Sequence, residues 1–142
     1  MVKIVAILTI KNRIYFLNKA ISSIENQTRK PDKIIVVTDS TEQNIQLEKE
    51  IIHNHKLEYI NNIYSHNYAG SLNSAIHFIL RSSLNNMNII EDIYIATLDD
   101  DDFWHTNYLE KCENAIKNED FVVSGIIYKN EEGEKVYLFH II

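Results

Sequence analysis

Asp99-Asp100-Asp101-Asp102 puts four carboxylates side by side, entered from the apolar run Ile93-Tyr94-Ile95-Ala96-Thr97-Leu98 and followed by Phe103-Trp104. Adjacent like charges disfavour each other's ionised form, so the tetrad is costly as it stands. A divalent cation would remove that repulsion, and carboxylate oxygens are the ligands that Mg²⁺ or Mn²⁺ prefers. In an extended segment alternate side chains share a face, which sets Asp99 with Asp101 and Asp100 with Asp102. Two D-x-D frames are therefore open. The competing reading is a solvated acidic loop, the usual fate of a charge run.

Such a tetrad does chemistry only if something rigid delivers it. Ile93 to Leu98 reads as a buried strand whose C-terminal end carries the charges out of the core. Val2 to Leu8 and Lys33 to Val37 are similar β-branched runs, and Leu57 to Tyr64 supplies a third strand, interrupted at Asn61-Asn62. Between them lie apolar stripes at helical spacing. Phe16, Leu17, Ala20, Ile21 and Ile24 form the first, and Ile45, Leu47, Ile51 and Ile52 a weaker second. Leu72, Ala75, Ile76, Ile79 and Leu80 form the cleanest, behind Ser71 as N-cap. Thr106 opens a fourth helix that buries Leu109, Cys112, Ala115 and Ile116. Phe121 to Tyr128 and Lys135 to Ile142 flank Asn130-Glu131-Glu132-Gly133 as a C-terminal β-hairpin.

This β-α alternation predicts one α/β domain over residues 1–142, with a mostly parallel Rossmann-like sheet and helices on both faces. Ligands of such sheets bind beyond the C-terminal strand ends, where the strand order reverses. Thr9 to Arg13, Thr38 to Thr41 and the tetrad all fall at that edge. The apolar fraction of 45% and charged fraction of 24% suit a globular chain with a single core. A formal charge of −6 argues against a general nucleic-acid binder, whose footprint would be a basic face. Lone Cys112 rules out an intrachain disulfide and suits a reducing compartment. No apolar run reaches membrane-spanning length and the start lacks a signal-peptide layout, which predicts a cytoplasmic chain. Membrane association through a further segment stays open.

The motifs Leu8-Thr9-Ile10-Lys11-Asn12-Arg13, Gln27-Thr28, Pro31, and Ile34 through Thr41 occur in this order. Gly70-Ser71-Leu72-Asn73-Ser74-Ala75-Ile76 and Leu98 through Asp102 follow. In order and spacing the chain, from Val5 to about Tyr128, resembles the family 2 glycosyltransferases, whose nucleotide-sugar-binding domain has the GT-A fold. That resemblance implies a UDP-sugar donor, a hydroxyl acceptor such as a glycan, and Mn²⁺ or Mg²⁺ as cofactor. It implies nucleotide contacts from Thr9, Lys11, Arg13, Asp39, Asn73 and Asp99. Thr9 would meet the uracil or ribose, and Asp39 would accept a hydrogen bond from the base. Asp101 would hold the metal that bridges the phosphates, and Asp99 the ribose or the same metal. An acceptor-only carboxylate suits the uracil imide N–H. The family pattern apolar-D-x-D-D-apolar selects the Asp99/Asp101 frame. Lys11 stands where an aromatic residue is common, Thr38 replaces the first of an Asp pair, and Thr106 replaces a frequent Pro.

No residue qualifies as the general base. The family's acceptor half lies beyond the metal motif, and Glu131, Glu132 and Glu134 read as hairpin-turn residues. The chain alone is thus expected to bind donor but to transfer sugar poorly. The apolar stretch Val136 to Ile142 is expected to pair as a strand, with the sheet or with a second copy in a homo-oligomer. A non-catalytic nucleotide-sugar-binding module is the alternative from another class, and a nucleotidyltransferase is disfavoured by the glycine-free Thr9 to Arg13 loop. His53 and His55, two apart on a helix end, do not share a face. His66 and His105 flank the expected pocket without an assigned role. Cys112 reads as a small hydrophobe, and Trp104 as a sugar-subsite wall or a core cover.

Overall fold

The computed structural model describes residues 3–84, 92–130 and 133–137. Strands β1 (Lys3–Ile10), β2 (Lys33–Thr38), β3 (Glu58–Asn61) and β4 (Ile93–Asp99) form one parallel sheet in the order β3-β2-β1-β4. Helices α1 (Leu17–Glu25), α2 (Glu42–Ile52), α3 (Tyr68–Leu84) and α4 (Tyr108–Ala115) are the connections and flanks. After β1 the chain adds strands on one side, then crosses to add β4 on the other, so the order reverses between β1 and β4.

Strand alternation sorts the core into two layers. Ile4, Ala6, Leu8 and Ile10 of β1 pack with Leu17, Ala20, Ile21 and Ile24 of α1, Ile52 of α2 and Leu109 of α4. Val5 and Ile7 face the other way, with Ile35 and Val37 of β2 against Ala75 and Ile79 of α3. A strand buried on both faces must be apolar throughout, which is why β1 and β2 show no polar alternation.

Several boundaries differ from expectation. Strand β1 runs on to Ile10, because Thr9 and Ile10 still pair with Val37 and Thr38. The first helix opens as a 3₁₀ turn at Ile14–Phe16 and becomes α-helical at Leu17. Strand β3 is only four residues long; the Asn62 N–H makes the last bond to β2, at the Thr38 carbonyl, while its side chain bonds Ser65 and Ser74. Helix α3 starts three residues before Ser71. Its cap is Asn67, whose Oδ1 accepts from the Gly70 N–H at 2.8 Å. Its buried stripe is accordingly rotated: Ser71, Ser74, Ala75 and Ile79 are inside, while Ile76 and Leu80 are exposed. In α2 the buried face carries Glu48 with Ile52, and Tyr59 of β3 donates its hydroxyl to Glu48 Oε1 at 2.9 Å.

Thr106 is not a cap either; Asn107 precedes α4 without a side-chain cap, and Ala115 is exposed. Trp104 is buried and stacks on Tyr108 at 4.8 Å between centroids, so it covers the core. Cys112 is half-buried, and burial pushes its thiol up, as befits a packing residue. Residues 121–125 are not strand. Strands β5 (Ile126–Asn130) and β6 (Gly133–Tyr137) pair antiparallel as a separate two-stranded sheet. Glu131, Glu132 and residues 138–142, with most of the expected C-terminal pairing strand, lie outside the described residues. Among the described residues no helix is long and apolar enough to cross a membrane.

Candidate functional site

A cleft of about 360 Å³ opens at the C-terminal ends of β1, β2 and β4. It is lined by Thr9, Lys11 and Arg13 after β1, Asp39 after β2, and Asp99, Asp100 and Asp101 after β4. Asn67, Tyr68 and Ser71 close it from the N-terminal turn of α3. Six of the seven residues expected at the site therefore share one cleft. Asn73 does not line it. At 100° per residue it lies 200° round the helix from Ser71, and it is exposed.

The loop after β1 is held by its neighbours on both sides. Asn12 adopts a left-handed φ of 57°, a conformation that Asn tolerates better than most residues. Its N–H donates to Ser40 Oγ at 2.8 Å, and its Oδ1 accepts from Thr41 N and Asn44 Nδ2, each at 2.9 Å. One residue earlier, the Lys11 N–H donates to Asp100 Oδ2 at 3.0 Å. This small network locks the β1 loop to the β2 loop and to the tetrad.

Asp39 is buried, with a side chain only 4% exposed. His66 Nδ1 donates to its Oδ1 at 2.7 Å. The Lys11 ammonium stands 3.3 Å from Oδ2, but that oxygen receives no hydrogen bond of good geometry. Burial alone would push this carboxyl up. The hydrogen bond from His66, the nearby Asn62 amide and the positive charge of the Lys11 ammonium outweigh it and hold the group below the usual carboxylate range. Asp39 is therefore an ionised acceptor, its Oδ2 covered beside the Lys11 ammonium.

The tetrad does not continue as an extended strand. The Asp102 N–H donates to the Asp99 carbonyl at 3.1 Å, so the chain turns at Asp100-Asp101. That turn cancels the strict alternation expected from the sequence. Asp99, Asp101 and Asp102 each bring a carboxylate oxygen within 4.8 Å of the others, all exposed. Asp100 instead is buried, bonded to Lys11 N, with Arg13 Nη1 at 3.7 Å from its Oδ1. Burial and the Asp101 charge push the Asp99 carboxyl up, partly offset by Arg13. Asp102 is pushed up by burial and then by its three acidic neighbours. Three oxygen ligands under mutual repulsion are a donor set that fits a hard divalent cation.

A turn-closing backbone hydrogen bond could not be read from four identical residues. Asn67 and Ser71 escaped for another reason: the cleft contacts depend on where α3 begins. Asn67 three residues before Gly70 was the available N-cap signal.

The sequence profile described as "Glycosyl transferase family 2" matches residues 5–141. The chain belongs to glycosyl transferase family 2. Among curated proteins, "Glycosyltransferase GlyA" of Streptococcus pneumoniae serotype 4 (strain ATCC BAA-334 / TIGR4) is 28% identical over 143 residues. That match takes in 99% of this chain and 19% of the relative, so the chain spans about a fifth of that protein's length. Two crystal structures of S. aureus TarS share the fold at a TM-score of 0.53, each covering 80% of this chain. One is 17% identical and matched over 19% of its length; the other, TarS 1–349, is 19% identical and matched over 32%. The sheet order and helices of this family 2 chain are thus those of a GT-A-like α/β fold.

Proposed function

We propose that this family 2 chain binds a UDP-sugar in the cleft, as all or the donor half of a metal-dependent glycosyltransferase acting on a hydroxyl acceptor. One observation carries the reading: an ionised, buried Asp39 and a triad of converging carboxylates face one cleft, at the point where the strand order reverses. Asp39 accepts from the uracil imide N–H once the Lys11 ammonium beside Oδ2 turns to the diphosphate, and His66 keeps the carboxylate oriented by holding Oδ1. Thr9, at the end of β1, lies against the nucleoside. Lys11 and Arg13 offer cations to the diphosphate.

Asp99, Asp101 and Asp102 hold Mn²⁺ or Mg²⁺, with Asp102 added to the pair implied by the family pattern. When bound, the ion neutralises the diphosphate and stabilises it as a leaving group. Asp100 is a positioning residue. By accepting from Lys11 N it fixes the loop that bears both cations. Asn67 and Ser71 bring the N-terminal turn of α3 to the cleft, where the positive end of the helix dipole favours a negatively charged ligand.

Calorimetric titration of UDP with and without Mn²⁺ tests the reading, with CDP and GDP as competitors. Binding of UDP that requires the ion and exceeds that of CDP is the expected outcome. Equal affinity for all three nucleotides would remove the role given to Asp39. Incubation with UDP-sugars, Mn²⁺ and a panel of acceptors, read by mass spectrometry, separates a transferase from a binding module.

A further inference from the structure

We infer that Arg13 is a placeholder cation: it neutralises Asp101 until a divalent ion binds, is displaced by that ion, and then pairs with the donor diphosphate. The inference rests on the metal and nucleotide reading above. Its observation is the distance of 2.6 Å from Arg13 Nη1 to Asp101 Oδ2. Asp101 is one of the three carboxylates that converge, so the guanidinium is bonded to a proposed metal ligand. A guanidinium and a divalent ion on the same carboxylate repel each other, and the dication is the stronger partner at an all-oxygen site.

The rest of the site permits the exchange. The Arg13 side chain is 56% exposed and lines the cleft, so it can swing without unpacking the core. Its root is fixed, since Lys11 N is bonded to Asp100 and Asn12 to the β2 loop. Loss of Asp101 therefore leaves the guanidinium tethered at the cleft, where a diphosphate supplies a bidentate partner. Lys11 shows the same arrangement on a smaller scale, with its ammonium 3.3 Å from the Asp39 oxygen that lacks a donor.

Such an exchange predicts that removing Arg13 moves the two affinities in opposite directions. Mn²⁺ binding without nucleotide would be followed by the loss of the free-ion electron paramagnetic resonance signal. UDP binding would be measured by calorimetry at saturating Mn²⁺. Arg13→Gln should bind Mn²⁺ about two- to fivefold more tightly, the range of an exposed ion pair. It should bind UDP about tenfold or more weakly, because a charged hydrogen-bond partner is gone. Arg13→Lys keeps the charge without the planar fork, and should restore part of the UDP affinity. Mn²⁺ affinity unchanged or weakened in Arg13→Gln overturns the placeholder role. Unchanged UDP affinity overturns the transfer to the diphosphate. A wild type that binds neither Mn²⁺ nor UDP overturns the parent reading along with it, and that result shows in the first titration, before any variant is compared.

Discussion

Asp100 and Asp101 are adjacent and chemically identical, yet the fold assigns them opposite duties, and substitution should separate them. Asp100 is buried and accepts the Lys11 N–H across 89 residues of chain. Removing that carboxylate in Asp100→Ala deletes one charge-assisted hydrogen bond, worth roughly 1.5–3 kcal/mol. Lys11 is exposed, so water recovers part of this and the lower end applies. Unfolding entropy for 142 residues is about 0.3 kcal/mol/K, so about 1.5 kcal/mol lowers Tm by about 5 °C. Asp100→Asn retains an acceptor oxygen and should stay close to wild type. Asp101 is 43% exposed, and its pair with Arg13 is a surface ion pair worth at most about 1 kcal/mol. Relief of repulsion within the tetrad offsets even that. Asp101→Asn should therefore hold its Tm within about 2 °C while losing Mn²⁺-dependent UDP affinity. The loss should exceed the roughly tenfold that groups merely supporting a ligand typically cost. Differential scanning fluorimetry without metal and calorimetry with it measure the two quantities. Equal losses of Tm in Asp100→Ala and Asp101→Asn, or equal losses of UDP affinity in the two Asn variants, would refute this division.

Asp39→Ala should narrow the preference for UDP over CDP, since cytosine offers no proton at the ring nitrogen that Asp39 would contact; competition calorimetry measures it. A Cβ on Gly70 would stand 1.9 Å from the Ser65 carbonyl oxygen, which is backbone and cannot rotate away. Gly70→Ala should thus cost about 1–3 kcal/mol in urea unfolding and weaken UDP binding, because the displaced loop carries His66 and Asn67. The folded pKa of Asp39 lies below its ordinary value of 3.8. Its stabilising contribution is therefore present above about pH 4 and lost as pH falls through the folded value. The stability difference between wild type and Asp39→Asn, followed by urea unfolding, should shrink in that acid window and nowhere above it. The carboxyls of Asp99 and Asp102 are shifted the opposite way, by burial first and by their acidic neighbours second, so their ionisation costs stability near neutral pH. Mn²⁺ should accordingly raise Tm at pH 7, and a chain whose Tm ignores Mn²⁺ would speak against an ion at this triad.

What the amino-acid sequence determined is what short-range physics can carry. Apolar, β-branched-rich runs at Ile4 to Ile7 and Ile35 to Val37 read as doubly buried strands, and their alternation with helical stripes implies a parallel sheet. That topology alone delivers Thr9, Lys11, Arg13, Asp39 and the tetrad to one edge. Tertiary structure decided which member of each group points where. Asp100 went inward and Asp102 joined Asp99 and Asp101 because a turn replaced the extended chain after Asp99. Asn67 rather than Ser71 capped α3, which rotated Asn73 away from the cleft and Ser71 into it. Both outcomes hang on single hydrogen bonds whose partners lie nearby in sequence, but whose geometry is set by the packing of β4 and α3 against β1 and β2. Periodicity reports which face of an element is apolar. It does not report the residue at which the element starts or stops, and at a site built from strand ends and helix starts that residue is what matters.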